Sequence, residues 1–248
     1  YILQHMLRNS PTKKLIFVPW ACDFENMDAS RLQSRLYKFR FEILALLLTA
    51  IVFGGGIFPF TIFDEVILPL IIFLAAGLSV IMVQYRKLSL RLVFGTFAVL
   101  ALLMMLLRIF TDFHIQVRIA SLEVFILFFG VLSYEVFRQM VNEKEITSSI
   151  IFAAFDCYLL LGMLGAMLFS LLMVMDPNAF TNIDSEDNLF NKMIYFSFIT
   201  LTSIGFGDIS PQSMLAEKIT AFYGLISHFY SVVIVGIIVG KYVARRNG

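Results

Sequence analysis

Long apolar runs broken by short charged connections set the pattern of this chain. Six stretches of about 20 mostly apolar residues lie near 40–58, 65–84, 90–110, 118–138, 149–175 and 213–243. A helix of that length rises about 30 Å, the thickness of a bilayer's hydrocarbon core, so each stretch predicts a membrane-crossing helix. Between the fifth and sixth lies LFNKMIYFSFITL, 189–201, helical in character but too short to span. The next residues, 200–211, read TLTSIGFGDISP, where glycines alternate with other residues among hydroxyls and an acid. The pattern as a whole predicts an all-α membrane protein.

Composition agrees. Of 248 residues 59% are hydrophobic and 15% charged, which is too apolar for a soluble domain. A net charge of +1 gives no reason to expect nucleic acid as a partner. The two cysteines, Cys22 and Cys157, do not suggest a disulfide framework. The first thirty residues mix prolines with Asp23, Glu25 and Asp28 and read as a folded or partly ordered tail. In 28–40, Arg31, Arg35 and Lys38 alternate with Leu32, Leu36 and Tyr37, as in a basic amphipathic helix lying on the membrane or in the solvated start of the first span.

Lys and Arg cluster on one side of the predicted spans when both termini are cytosolic. Arg86, Lys87, Arg91, Arg138, Lys144, Lys241, Arg245 and Arg246 then fall inside, and Arg108, Arg118, Lys192 and Lys218 outside. The expected chain is a multi-pass protein of the cell (plasma or inner) membrane, in contact with its lipid. It divides into a tail with an interfacial helix (1–40), a four-helix membrane domain (41–140) and a segment of two spans flanking the short helix (141–248). On this topology the acidic loop with Asp176, Asp184, Glu186 and Asp187 faces outward, and the glycine segment lies in the outer half of the bilayer.

Irregular backbone at membrane depth is tolerated where it is buried in protein or lines a wet cavity. Gly205 and Gly207 can take positive φ at every second position, which turns successive carbonyls toward one axis. Rings of such oxygens replace the hydration shell of an ion. One chain supplies one loop, so four copies are needed to close a ring.

The sequence SIGFGD, 203–208, resembles the selectivity filter of tetrameric potassium channels, whose usual form is Thr-Val-Gly-Tyr-Gly-Asp. The resemblance runs from about 150 to 245, through outer helix, re-entrant pore helix, filter loop and inner helix. It implies a six-span homotetrameric potassium channel and no enzyme. It implies a filter formed by Thr202, Ser203, Ile204, Gly205, Phe206, Gly207 and Asp208. Potassium ions would be held by the carbonyls of Ser203, Ile204, Gly205 and Phe206, with the Ser203 hydroxyl as innermost ligand and Asp208 at the outer mouth. No cofactor is implied beyond the ions themselves. Tyr195 and Phe196 occupy the aromatic cuff. Phe206 lacks the hydroxyl that usually ties the filter to that cuff, so packing is expected to hold the filter more than hydrogen bonds.

On the inner helix, His228, Ser231, Val235 and Val239 share one helical stripe, which the resemblance places on the central cavity. Ser227 stands where many members carry a hinge glycine. Gly236 and Gly240 form a small-xxx-small pattern that permits close helix approach. The fourth span carries Arg118 and Arg138 at its ends with no cation between, so the arginine ladder of a voltage sensor is missing. Arg108, Asp112, Arg118 and Glu123 gather near one interface, and Arg91, Glu135 and Arg138 near the other, as pinning ion pairs or as interfacial snorkelling. A subunit of a potassium uptake transporter and a Gly-x-Gly-Asp intramembrane aspartyl protease share parts of the pattern. The first would carry four such loops, and the second would bring Asp208 beside Asp156. Asp156 is expected to pair with a cytosolic-side cation or to cap a hydrogen-bond network.

Overall fold

The computed structural model describes residues 35–54, 115–143, 148–183 and 189–247, with isolated positions between 71 and 103. The predicted spans at 65–84 and 90–110 fall largely outside the described residues, as do most of the 28–40 helix, Arg91, Arg108 and Asp112. The chain divides after Lys38 into two compact units, and the helices named below belong to the second, from Phe39 onward.

Five helices are described: α1 (Arg40–Phe53), α2 (Ile115–Asn142), α3 (Ser148–Met175), α4 (Leu189–Leu201) and α5 (Met214–Asn247). All regular elements among the described residues are helical. Three helices are long and apolar enough to cross a membrane, over Arg118–Asn142, Ser149–Met175 and Met214–Ile238. The structure thus shows a helical membrane protein with three such spans among the described residues.

The central element is α3, which packs against α1, α2, α4 and α5. It is apolar on all sides, as a helix enclosed by others must be, and Leu160, Met163, Ala166 and Phe169 have no exposed surface. From α1, Phe41, Leu44, Leu48 and Ile51 form one buried stripe at helical spacing. From α2, Phe128, Leu132, Val136 and Met140 do the same at steps of four, while Leu127 and Tyr134 on its other side are exposed.

Polar contacts join the ends of these three helices. Arg40 Nε donates to Gln139 Oε1 at 3.0 Å, Gln139 Nε2 donates to Glu135 Oε1 at 2.8 Å, and Arg138 pairs with Glu135. The Ser149 hydroxyl donates to Glu42 Oε1 at 3.0 Å. The Arg138–Glu135 pair is the described part of the expected inner charge cluster.

Asp156 makes neither expected contact among the described residues. It is fully buried in α3, and among the described residues neither of its carboxylate oxygens has a hydrogen-bond partner. One turn away on α3 stand Phe152, Ala153, Leu159 and Leu160, whose side chains carry no donor.

After Met175 the chain turns sharply. Pro177 follows Asp176, the Ala179 N–H returns to the Asp176 carbonyl at 2.9 Å, and the Asn178 N–H donates to Asp176 Oδ1 at 3.0 Å. The start of α5 is capped by Ser213, whose Oγ accepts from the Ala216 N–H at 3.2 Å. Pro211 two residues earlier suits a chain not yet helical.

Candidate functional site

The site begins where α4 stops. At 13 residues α4 is about 20 Å long, short of a bilayer. Its last carbonyls have no intrahelical partners and are taken by the next few residues of the chain. The Thr202 N–H donates to the Phe198 carbonyl at 2.9 Å and the Ser203 N–H to the Thr200 carbonyl at 3.0 Å. The Ile204 and Gly205 N–H groups both reach the Ile199 carbonyl, at 2.9 and 3.2 Å. The Thr202 hydroxyl also folds back, donating to the Phe198 carbonyl at 2.7 Å.

Positive φ recurs at every second residue: Ser203 at 58°, Gly205 at 55° and Gly207 at 77°. Glycine takes this conformation without cost, whereas Ser203 does so against the preference of an L side chain. The two glycines are legible in the sequence; Ser203 is not. Among the described residues no hydrogen bond ends on the carbonyls of Thr202 to Gly207. Residues 202–208 are all exposed in the single chain, with Phe206 at 70% and Ile204 at 56%. The segment therefore has its first four N–H groups tied back to α4 and a row of carbonyls without a donor among the described residues, together with the Ser203 hydroxyl.

The far end of the segment is held differently. The Tyr195 hydroxyl donates to Asp208 Oδ2 at 2.7 Å, and Asn182 Nδ2 donates to the Asp208 carbonyl at 2.6 Å. The Thr181 N–H donates to the Ser210 carbonyl at 2.9 Å, the Ser210 N–H donates to Thr181 Oγ1 at 3.0 Å, and the Gln212 N–H reaches the Ala179 carbonyl at 2.8 Å. A single bridge pairs Phe180 with Pro211. Seven hydrogen bonds clasp residues 208–212 to Tyr195 and to the loop after α3, two of them on Asp208 at the end of the expected filter. In the sequence the missing Phe206 hydroxyl is conspicuous, whereas nothing there marks Asp208 as an acceptor or 179–182 as its neighbouring loop. The bond to Asp208 holds the Tyr195 phenol above its ordinary value of 10.0, with burial and the carboxylate's charge adding to the shift.

Phe196, grouped with Tyr195 in the sequence, lies in the core instead. Its ring meets Phe169 and Phe180 edge-on at centroid distances of 5.0 and 5.2 Å, and Phe169 in turn meets Tyr223 at 5.2 Å. The cluster ties α4 to α3, α5 and the clasping loop.

On α5 the structure separates the expected cavity residues. His228, Val235, Gly236 and Gly240 are exposed and Ser231 is half-buried; the Val239 side chain lies outside those described. Ser227, at the expected hinge position, is fully buried, and its hydroxyl donates to the Tyr223 carbonyl at 2.7 Å. It sits one turn from Tyr223 on the face packed inside the chain, whereas His228 beside it is exposed. Among the described residues, a Cβ at Gly236 or Gly240 would meet nothing within 4 Å. The close approaches occur at Gly162 and Gly165 of α3, where a Cβ would run into the Phe198 ring, the Ser197 hydroxyl and the Tyr223 ring. The small residues of GMLGA in the fifth span are the available signal for this contact.

The protease arrangement does not form. Asp156 lies near the start of α3 while Asp208 is held by the loop beyond Met175, about 28 Å further along at 1.5 Å per residue. Carboxylates that share a proton must be nearly in contact.

No curated protein and no solved structure matched the chain. Residues 155–244, a little over a third of the chain, match the profile of a family described as ion channel. The matched residues run from α3 through α4 and the free-carbonyl segment into α5, and the match supports an ion channel.

Proposed function

We propose that the protein is a potassium-selective channel, conducting passively through a central pore closed by four copies of the chain. Residues 202–208 form the selectivity filter, and potassium ions sit against the carbonyls of Ser203, Ile204, Gly205 and Phe206 and the Ser203 hydroxyl. Residues 141–248 make the pore domain, 41–140 a four-helix domain and 1–40 a cytosolic tail with an interfacial helix. The protein resides in the cell membrane with both termini in the cytosol.

One observation carries the reading: positive φ at 203, 205 and 207 coincides with N–H groups bonded back to α4 and carbonyls left without a donor. Once four copies enclose the segment at membrane depth its carbonyls need partners, and a dehydrated cation satisfies them in rings. The exposed apolar face of α5, with Phe222, Phe229 and Val235, suits contact with neighbouring copies and with the pore. The apolar stretch of α2 between Arg118 and Arg138 has no Lys or Arg, so the gate is not strongly voltage-driven.

The test is planar-bilayer recording of purified protein in asymmetric potassium and sodium. The reversal potential should follow the potassium gradient and barely respond to sodium; equal permeability to the two ions overturns the reading.

A further inference from the structure

The carbonyls that anchor the 202–205 segment belong to Phe198, Ile199 and Thr200, so the accuracy of that segment depends on how α4 is fixed. Apolar packing resists separation but tolerates sliding and rotation. A directional contact is needed to set the helix's register.

Such a contact lies one residue before the anchoring carbonyls. Ser197 is fully buried in α4, and its hydroxyl donates to the Gly162 carbonyl of α3 at 2.7 Å. The Tyr223 hydroxyl of α5 lies 2.8 Å from the same Ser197 oxygen and 3.3 Å from the Leu161 carbonyl. A serine hydroxyl has one proton and a phenol has one. With the serine proton on Gly162, the phenol proton goes to Ser197, with Leu161 as its longer alternative. Gly165 leaves the space this pair occupies, and Gly162 leaves the space for the Phe198 ring. The two hydroxyls thus tie three helices together at one point. Ile199, which receives two of the segment's N–H groups, is two residues away, about 3 Å along the helix.

We infer that Ser197 and Tyr223 are positioning residues for ion selection: their shared hydrogen bonds to α3 fix the register of α4 and through it the spacing of the filter carbonyls. The inference rests on the potassium-filter reading and adds a determinant of selectivity outside the filter itself.

The test compares the sodium-to-potassium permeability ratio of the wild-type tetramer with Ser197→Ala, Tyr223→Phe, the double variant and Ser197→Thr, alongside thermal melting of each tetramer. Ser197→Ala should raise the ratio about fivefold, the scale of one ordinary hydrogen bond. Tyr223→Phe keeps the ring against Phe169 and should raise it less. The double variant should add little to Ser197→Ala, because both hydroxyls serve one contact. Ser197→Thr, which retains the donor, should restore selectivity. A purely structural role would lower the melting temperature and leave the ratio in place. If Ser197→Ala does not assemble, Tyr223→Phe decides alone. A potassium-selective wild type whose assembled variants keep its ratio overturns the inference and leaves the filter reading intact; a non-selective wild type removes both.

Discussion

The two ends of the 202–212 segment are built on opposite plans. At the Thr202 end, backbone bonds to backbone: four N–H groups meet the last carbonyls of α4, and side-chain identity hardly enters beyond glycine's freedom of φ. At the Asp208 end, side chains and a loop distant in sequence hold the chain, through Tyr195, Asn182 and Thr181. The first plan follows from how helices terminate and fails only when the backbone conformation is forbidden. The second is adjustable, since each hydroxyl or amide can be removed singly without forbidding the fold. The end nearer α4 should therefore be intolerant of substitution and the clasped end graded in its response.

The largest expected effect strikes the first plan. Gly205→Ala places a Cβ at φ 55°, a conformation that costs about 1 kcal/mol or more in each copy for an L residue. Potassium-selective current should be abolished, or its selectivity lost, in bilayer recordings. A variant that kept the wild-type reversal potential would show that the alternating φ is not what selects the ion.

At the clasped end, Tyr195→Phe removes the donor to Asp208 while keeping the ring. Current should persist with unaltered reversal potential and decline faster during sustained recording, by a few-fold; Asn182→Ala should act in the same direction. The same bond makes a pH prediction. The raised value of the Tyr195 phenol means the bond favours the protonated form, so its contribution is full below pH 10.0 and is lost as pH climbs through the raised value. Alkaline solution on the filter's outer side should accelerate the decline in wild type but not in Tyr195→Phe. Equal alkaline sensitivity in both would assign the effect to another group.

A third measurement contrasts the pore half with α2. With no cation between Arg118 and Arg138, open probability should change only shallowly from about −100 to +100 mV, since each charge crossing the field contributes about 2.3 kcal/mol per 100 mV. Steep activation would place several gating charges outside the described helices.

The smallest effect concerns the exposed stripe of α5. A fixed charge at His228→Lys would stand beside the permeating ion if this stripe faces the pore, and repulsion on the order of 1 kcal/mol should reduce single-channel current several-fold. Unchanged current would assign His228 to a face away from the pore.

Reading the chain by pattern locates α3, α4 and α5 closely, because a bilayer imposes a length on each span and α4 is conspicuous for falling short of it. The alternating glycines show at once that the segment after α4 has a special backbone. The same reading does not reveal that Ser227 is buried, since position along a helix does not say which face its neighbours cover. Asp156 is a related case: an acid in an apolar run invites a partner, but only packing decides whether one is within reach.

What the sequence determined by itself is local and periodic: lengths of apolar helix, where they stop, and where glycine permits positive φ. These depend on near neighbours in the chain and on the solvent, so they survive without knowledge of the fold. Tertiary structure alone decided that Ser203 joins the glycines at positive φ, because an L residue adopts that conformation only when contacts around it require it. It alone joined Tyr195 and Asn182 to Asp208, and Ser197 to Gly162 and Tyr223. Those bonds link residues up to 35 positions apart, and a directional bond of about 3 Å exists only after packing has fixed both partners in place.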